Sequence, residues 1–497
     1  METVGVEGPT ETRRDLAAII LRNTLAASLG AWLTRIANFL FMIYAVRTLG
    51  EDDLGRYATV VAFVGLFGVF SELGMAQYVE RSIAQDASSV RELFWDLVVL
   101  RAILALIGVF GISAVAFSVY DRELAVGVFL FSLTFLLSSL LVPFVIVLTA
   151  NERFDLATIV GLAGQLTTVS LGVLFLRMGF GFYALLFTGF VAMPIQIVLT
   201  VYLVRRHRFG SVPFRVRPQA WRQFIRMSLP FGITSLALTL NYNVDTIILG
   251  FFWPDSEVGW YNASYRLVFN AVGIVGAFLV VMTPSLAREH KLDPARVRSW
   301  VRTSMYWMLI FGIPAAAGLS LVAGDTIRLL YGDSFAPAGP VAAIIAWDIP
   351  LYVLLAFFGN VTAATGRERP AAAIYVGSAV GNVLLNLAFI PFYGMYAAAA
   401  ITVFSDVITV IAFIILLRET IEFHPRFSSA LVRVAAATGV MVVSIWLARS
   451  LPYFALIALA AGIYLLCAAS LRLLSVTRTV ATARRLLERH KPQQSPM

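Results

Sequence analysis

Apolar runs recur from Leu25 almost to the end of the chain, each close to the roughly 20 residues a helix needs to cross a bilayer core. Inside hydrocarbon the backbone must satisfy its own hydrogen bonds, so runs of this length predict helices. The apolar/polar alternation of a barrel strand is absent. About fourteen spans are read: Leu25–Val46, Tyr57–Val79, Phe94–Val119, Leu124–Thr149, Leu156–Leu176, Phe182–Val204, Phe224–Phe252, Trp260–Leu286, Val301–Val322, Gly339–Ala363, Ala371–Pro391, Met395–Leu417, Leu431–Ala448 and Tyr453–Leu474. Ahead of them, Met1 to Thr12 is polar and Arg13 to Asn23 reads as a short interfacial helix. The fold class expected is an all-α polytopic membrane protein.

Polar residues interrupt this pattern where they cost most. The seventh span carries Asn241, Asn243 and Asp245 near its middle, and the eighth carries Arg266. A bare charge at mid-membrane costs from about 3 to more than 10 kcal/mol, so such residues must meet partners or a wet cavity. Arg35 and Asn38 share a face of the first span. A guanidinium there suits bidentate binding of phosphate, and a structural pair, for example with Glu72 in the second span, is the competing account. For Arg266 the competing account is snorkelling to the interface. Arg101 is expected to snorkel or to pair with Asp96, Glu72 to sit in a buried salt bridge, and Arg56 to be a surface charge or to meet the substrate at the outer mouth. Asn241 and Asp245 share a face, as do Asn382 and Asn386 on the eleventh span and Thr402 and Asp406 on the twelfth. Carboxylate, amide and hydroxyl oxygens form a hard-ligand set that suits a small cation, and a polar network holding three helices together would use the same residues.

The chain also repeats itself. Leu49-Gly50 closes the first span and is followed by Leu54-Gly55-Arg56-Tyr57-Ala58; Leu249-Gly250 closes the seventh and is followed by Val258-Gly259-Trp260-Tyr261-Asn262-Ala263. With six spans between the copies, the halves have the same orientation, as in some transporters. The domain plan is then a cytoplasmic segment 1–24, a six-helix lobe 25–204, a basic linker 205–223, a second six-helix lobe 224–417, an extra helix pair 418–475 and a basic tail 476–497, with the two lobes pseudo-symmetric around a central cavity.

Composition narrows the function classes. The chain is 59% hydrophobic and 13% charged, whereas charged residues alone make up about a quarter of a soluble domain. Its formal charge of +9 comes largely from arginines between spans, such as Arg205, Arg206, Arg208, Arg215, Arg217, Arg222 and Arg226, which set topology rather than bind nucleic acid. By the positive-inside rule both termini are expected in the cytoplasm. No leader with a small-residue cleavage site is read, so the first span is expected to stay. A single cysteine, Cys467, and four histidines outside the spans suggest no thiolate or zinc site. No nucleophile constellation or phosphate loop points to an enzyme, and no cofactor is expected.

The segment RTLGEDDLGRYATVVAFVGLFGVFSELGMAQYVER, with its Leu-Gly span end, acidic turn and Gly-x-Tyr-Ala opening, resembles the polysaccharide-transport (Wzx-type) lipid-linked oligosaccharide flippases of the multidrug/oligosaccharidyl-lipid/polysaccharide exporter superfamily. The resemblance implies alternating access by two lobes, and transfer of a polyprenyl-(pyro)phosphate-linked glycan to the outer leaflet of the bacterial inner membrane. Glycosyltransferases and a polysaccharide polymerase would be its functional neighbours, and membrane lipids its surroundings. On that basis Arg35, Asn38, Arg56, Glu72 and Arg266 are candidate cavity residues. Asp245, Asn241, Asn382, Asn386, Thr402 and Asp406 are candidates for ion coupling. By likeness to the lipid II flippases, Asp245, Asn382, Asn386 and Thr402 would hold sodium, although Asn386 stands where those flippases tend to carry Asp; a proton on Asp245 would serve equally. A drug/cation antiporter of the same superfamily and a non-transporting scaffold are the alternatives.

Overall fold

The computed structural model describes residues 9–85, 89–151, 153–207, 214–270, 272, 294–421 and 425–473. Among them all regular structure is helical. In chain order the helices are α1 (Pro9–Glu72), α2 (Met75–Gln85), α3 (Ser89–Val119), α4 (Arg122–Ser132), α5 (Thr134–Ala150), α6 (Phe154–Arg177), α7 (Tyr183–Arg206), α8 (Pro218–Phe252) and α9 (255–270). They continue with α10 (Pro294–Tyr331), α11 (Ala338–Ile345), α12 (Asp348–Ala364), α13 (Glu368–Leu416), the single turn α14 (Arg418–Ile421), α15 (Pro425–Leu447) and α16 (Tyr453–Ser470). Nine helices among the described residues are long and apolar enough to cross a membrane, or ten if α11 and α12, bent by 41°, count as one. The eighth apolar run beyond residue 272, the centre of the basic linker (208–213) and the basic tail lie outside the described residues.

Two of the long helices each carry two of the apolar runs. Gly50 breaks α1 with φ 78° and ψ −179°, and Gly394 breaks α13 with φ 56° and ψ −139°. Side-chain-bearing residues avoid that backbone region, so a single glycine turns the chain where the sequence suggested a loop. After Gly50 the helix restarts on Glu51, Asp52 and Asp53, whose charges favour a helix N-terminus. The separate lead-in helix expected at Arg13 to Asn23 is instead continuous with the first span, because nothing between Pro9 and Leu49 interrupts helical backbone.

The chain forms two compact units. The first comprises Met1–Arg266, Ile327–Val341 and Ala372–Ser405; the second comprises Leu267–Thr326, Ala342–Ala371 and Asp406–Met497. Within the first, α1 packs on α6 and α8, α3 on α5, and α6 on α7. Val60, Phe63, Val64, Ile112, Val128, Phe182 and Leu186 fill its core. Within the second, α10, α15 and α16 close around Ile310, Val434, Met441, Ile445 and Tyr464. Large apolar side chains also point outward: Phe110, Val198, Val432 and Leu466 are each about two-thirds exposed or more. A soluble protein avoids contiguous apolar surface of this kind, whereas a lipid-facing helix requires it.

The repeated Gly-x-Tyr turns meet inside the first unit. A Cβ on Gly55 would overlap the backbone carbonyl of Asp255, and one on Gly259 would overlap that of Glu51. The contact is reciprocal, each copy of the motif setting its glycine against the other's turn. The copies are not identical in backbone. Gly50 kinks its helix, whereas at the matching Gly250 α8 continues to Phe252 and stops at Trp253.

Candidate functional site

Asp245 is buried on α8, 1% exposed. Tyr261 on α9 donates its hydroxyl to one carboxylate oxygen, Thr402 on α13 donates to the same oxygen at 3.4 Å, and the backbone N–H of Thr246 donates to the other at 2.7 Å. These bonds compensate the removal of the carboxylate from water. Thr402 was legible in the sequence; Tyr261 was not singled out, although its place in the repeat was. The two repeat tyrosines have taken opposite partners. The ring of Tyr57 lies 5.4 Å from the Arg266 guanidinium, while the hydroxyl of Tyr261 serves Asp245.

A second buried polar group lies wholly on α13. Asn386 Nδ2 donates to Asn382 Oδ1 at 2.8 Å, one turn away, and Asn382 Nδ2 donates to Ser405 Oγ at 3.3 Å. Asn386 is 0% exposed, and its Oδ1 has no hydrogen-bond partner among the described residues; Asn241 Oδ1 on α8 is in the same position. Asp406 belongs to the second unit, where it is hydrogen-bonded to Asp348 at the start of α12, a residue the sequence reading passed over. Ser405 left no trace in the sequence, because serine is common in spans, whereas Asp348 lies inside the expected span Gly339–Ala363, where a carboxylate stands out.

Among the basic candidates, Arg35 and Asn38 are exposed on the first leg of α1. Arg266 is half-buried against the Tyr57 ring, with Nη1 3.8 Å from Met42 Sδ. Glu72 does sit in a salt bridge, with Arg101 Nη1 at 3.1 Å. The expected Arg101–Asp96 pair is therefore corrected: Asp96 accepts from the Arg217 backbone N–H at 2.7 Å and from Trp221 Nε1 at 2.9 Å. Asp96 lies two turns into α3, too far along the helix from Arg101 on its other side, and the α8 entry supplies nearer donors. Arg56 bridges Glu123 at 2.8 Å and Asp255 at 3.0 Å, so it ties α1 to α4 and to the repeat turn.

Kinked apolar helices enclosing buried carboxylate, amide and guanidinium groups define a polytopic membrane transporter. Solved structures of known transporters share its fold. The lipid II flippase MurJ in an inward closed conformation superposes with a TM-score of 0.76, at 14% identity over 90% of this chain and 98% of that one. A multidrug resistance MATE family transporter of the MOP superfamily superposes with a TM-score of 0.61 over 80% of this chain and 95% of that one, also at 14% identity. The chain belongs to the polysaccharide biosynthesis protein family, which matches residues 20–290, and the MatE family matches residues 230–388. A protein of Shigella dysenteriae named as an O-antigen transporter is 22% identical over 76% of this chain and 96% of its own length. Another, from Haloferax volcanii and named as a flippase of low-salt glycan biosynthesis, is 22% identical over 79% of this chain and 81% of its own. These relatives are transporters rather than enzymes.

Proposed function

We propose that this protein flips a polyprenyl-(pyro)phosphate-linked oligosaccharide from the inner to the outer leaflet of a bacterial inner membrane by alternating access, for the synthesis of cell-surface polysaccharide. The likeness of the chain to glycan flippases over most of its length carries the reading. The chemistry agrees with it. Phosphate and sugar cannot cross hydrocarbon unaided; Arg35 offers a guanidinium on a helix long and apolar enough to cross a membrane, and Arg266 offers another on α9. Both termini face the cytoplasm, and glycosyltransferases that build the glycan and a polymerase that extends it are the natural partners. Drug antiport, which the MatE match favours, would prefer an acidic cavity for cationic substrates, and the two arginines weigh against it.

Coupling is assigned to Asp245, Thr402, Asn382 and Asn386, with Asn241 on the Asp245 face. The donor chemistry fits a small hard cation: carboxylate, hydroxyl and amide oxygens, with Asn386 Oδ1 buried and unsatisfied among the described residues. Sodium would supply positive charge beside the buried carboxylate and favour one arrangement of the transporter over another; a proton on Asp245 would do the same.

The test is transfer of fluorescent polyprenyl-pyrophosphate-linked glycan in proteoliposomes. Arg266→Ala and Arg35→Ala should each abolish transfer at unchanged protein levels. Arg35→Lys should restore only part of it, since an ammonium keeps the charge and loses the bidentate fork. Full transfer by the double alanine variant removes the phosphate clamp.

A further inference from the structure

A cavity of about 470 Å³ opens among α1, α3, α4, α5, α7 and α8, wholly inside the first compact unit. Its volume falls within the range of about 300–1,000 Å³ common to small-ligand sites. The walls combine the rings of Phe131 and Phe135, the hydroxyls of Ser71, Ser138, Ser235 and Thr239, and the Glu72–Arg101 ion pair.

Three features mark this cavity as built for a ligand. Arg101 is only 5% exposed, and its Nε is buried without a hydrogen-bond partner among the described residues. Ser71 Oγ, in the same wall, is likewise buried and unsatisfied. Buried donors are costly to leave unmet, so this wall of the cavity is backed by polar groups whose hydrogen bonds are unmade among the described residues. Glu72, in turn, is the last helical residue before Leu73, which is held at φ +46°. A leucine rarely adopts that left-handed backbone, and such strain collects at ligand sites. The break ends α1 at Glu72 and leaves its side chain 38% exposed, while the same carboxylate grips Arg101.

The charges decide what the ligand is. Glu72 offsets Arg101, so the cavity carries no excess positive charge with which to hold a phosphate. What remains is a carboxylate that accepts from hydroxyls, a guanidinium with a spare donor, side-chain hydroxyls that do either, and aromatic faces that cover C–H surface. That set is complementary to an uncharged sugar ring. We infer that this cavity is a subsite for a neutral, hydroxyl-rich sugar of the transported glycan, read by Glu72 and Arg101 and separate from whatever holds the phosphate. That the sugar arrives on a lipid carrier rests on the flippase reading; that the cavity takes a sugar does not.

The single cysteine of the chain makes the test direct. In a Cys467→Ser background, Ser138→Cys places a thiol in the cavity wall, and its maleimide labelling rate is followed on the full chain in nanodiscs. The probes are maltotriose, cellotriose, chitotriose and inorganic pyrophosphate. At least one trisaccharide should protect the thiol and pyrophosphate should not. Glu72→Gln should weaken that protection about tenfold, as expected when a charge-assisted hydrogen bond becomes a neutral one. The milder Ser235→Ala should weaken it in the same direction. Protection by pyrophosphate, by no trisaccharide, or undiminished in both variants overturns the sugar site. Sugar protection without transfer of lipid-linked glycan in proteoliposomes would sink the flippase reading alone, and transfer without sugar protection would sink this subsite alone.

Discussion

Tyr261 illustrates how one hydroxyl sustains a buried charge. It donates to the buried Asp245 carboxylate, beside the longer bond from Thr402. Tyr261→Phe keeps the ring and deletes the donor, leaving the carboxylate under-satisfied at a cost of about 1–3 kcal/mol. Thermal unfolding in detergent should show this as a lowered midpoint. Asp245→Asn removes the charge and keeps hydrogen-bonding capacity, so it should fold. In sealed vesicles with sodium and proton gradients imposed separately, its transport should no longer respond to the driving gradient. An unchanged gradient response in Asp245→Asn would reduce the residue to structural glue. Asp245, Thr402, Asn382 and Asn386 could be picked from the sequence because polar residues at helical spacing stand out in an apolar run. Tyr261 could not, because a tyrosine near a helix start is ordinary until its hydroxyl is seen to point at a carboxylate.

At the scale of the helix, glycine does two different things. Gly50 and Gly394 turn the chain within α1 and α13 through backbone angles that other residues reach only with strain. Gly55 and Gly259 instead let two repeat turns touch through their backbones. Gly259→Ala should cost about 1–3 kcal/mol, the usual penalty of overpacking, because its methyl group would meet the Glu51 carbonyl, and backbone gives way less readily than a side chain. Gly324, in helical α10 with open space around its Cβ position, is the control: Gly324→Ala should be neutral or slightly stabilising. Equal melting temperatures for the two variants would show that the reciprocal contact is slack. The spacing of the Leu-Gly motifs revealed the repeat. That the two glycines face each other's turns was not readable, since sequence spacing carries no information about which turn lies opposite which.

For the whole molecule, the arginine-rich segments predict the topology. A reporter fused after Met497 or near Pro213 should read cytoplasmic, and one near Asp255 external. A cytoplasmic reading at Asp255 would undo the order of spans and the parallel repeat together. The sequence by itself determined that the chain is helical and membrane-embedded, and it exposed the repeat and the polar positions at which the transporter had to be unusual. It could do so because hydrocarbon leaves the backbone no alternative to internal hydrogen bonds and makes each buried polar residue conspicuous. Only the tertiary structure decided the partners. Arg101 meets Glu72 rather than Asp96, Asp406 meets Asp348, Arg56 joins Glu123 to Asp255, and Tyr57 and Tyr261 serve opposite charges. Each of these pairings joins residues on different helices. A charge buried in the membrane must find a partner, but which neighbouring helix supplies it is fixed only when the helices pack.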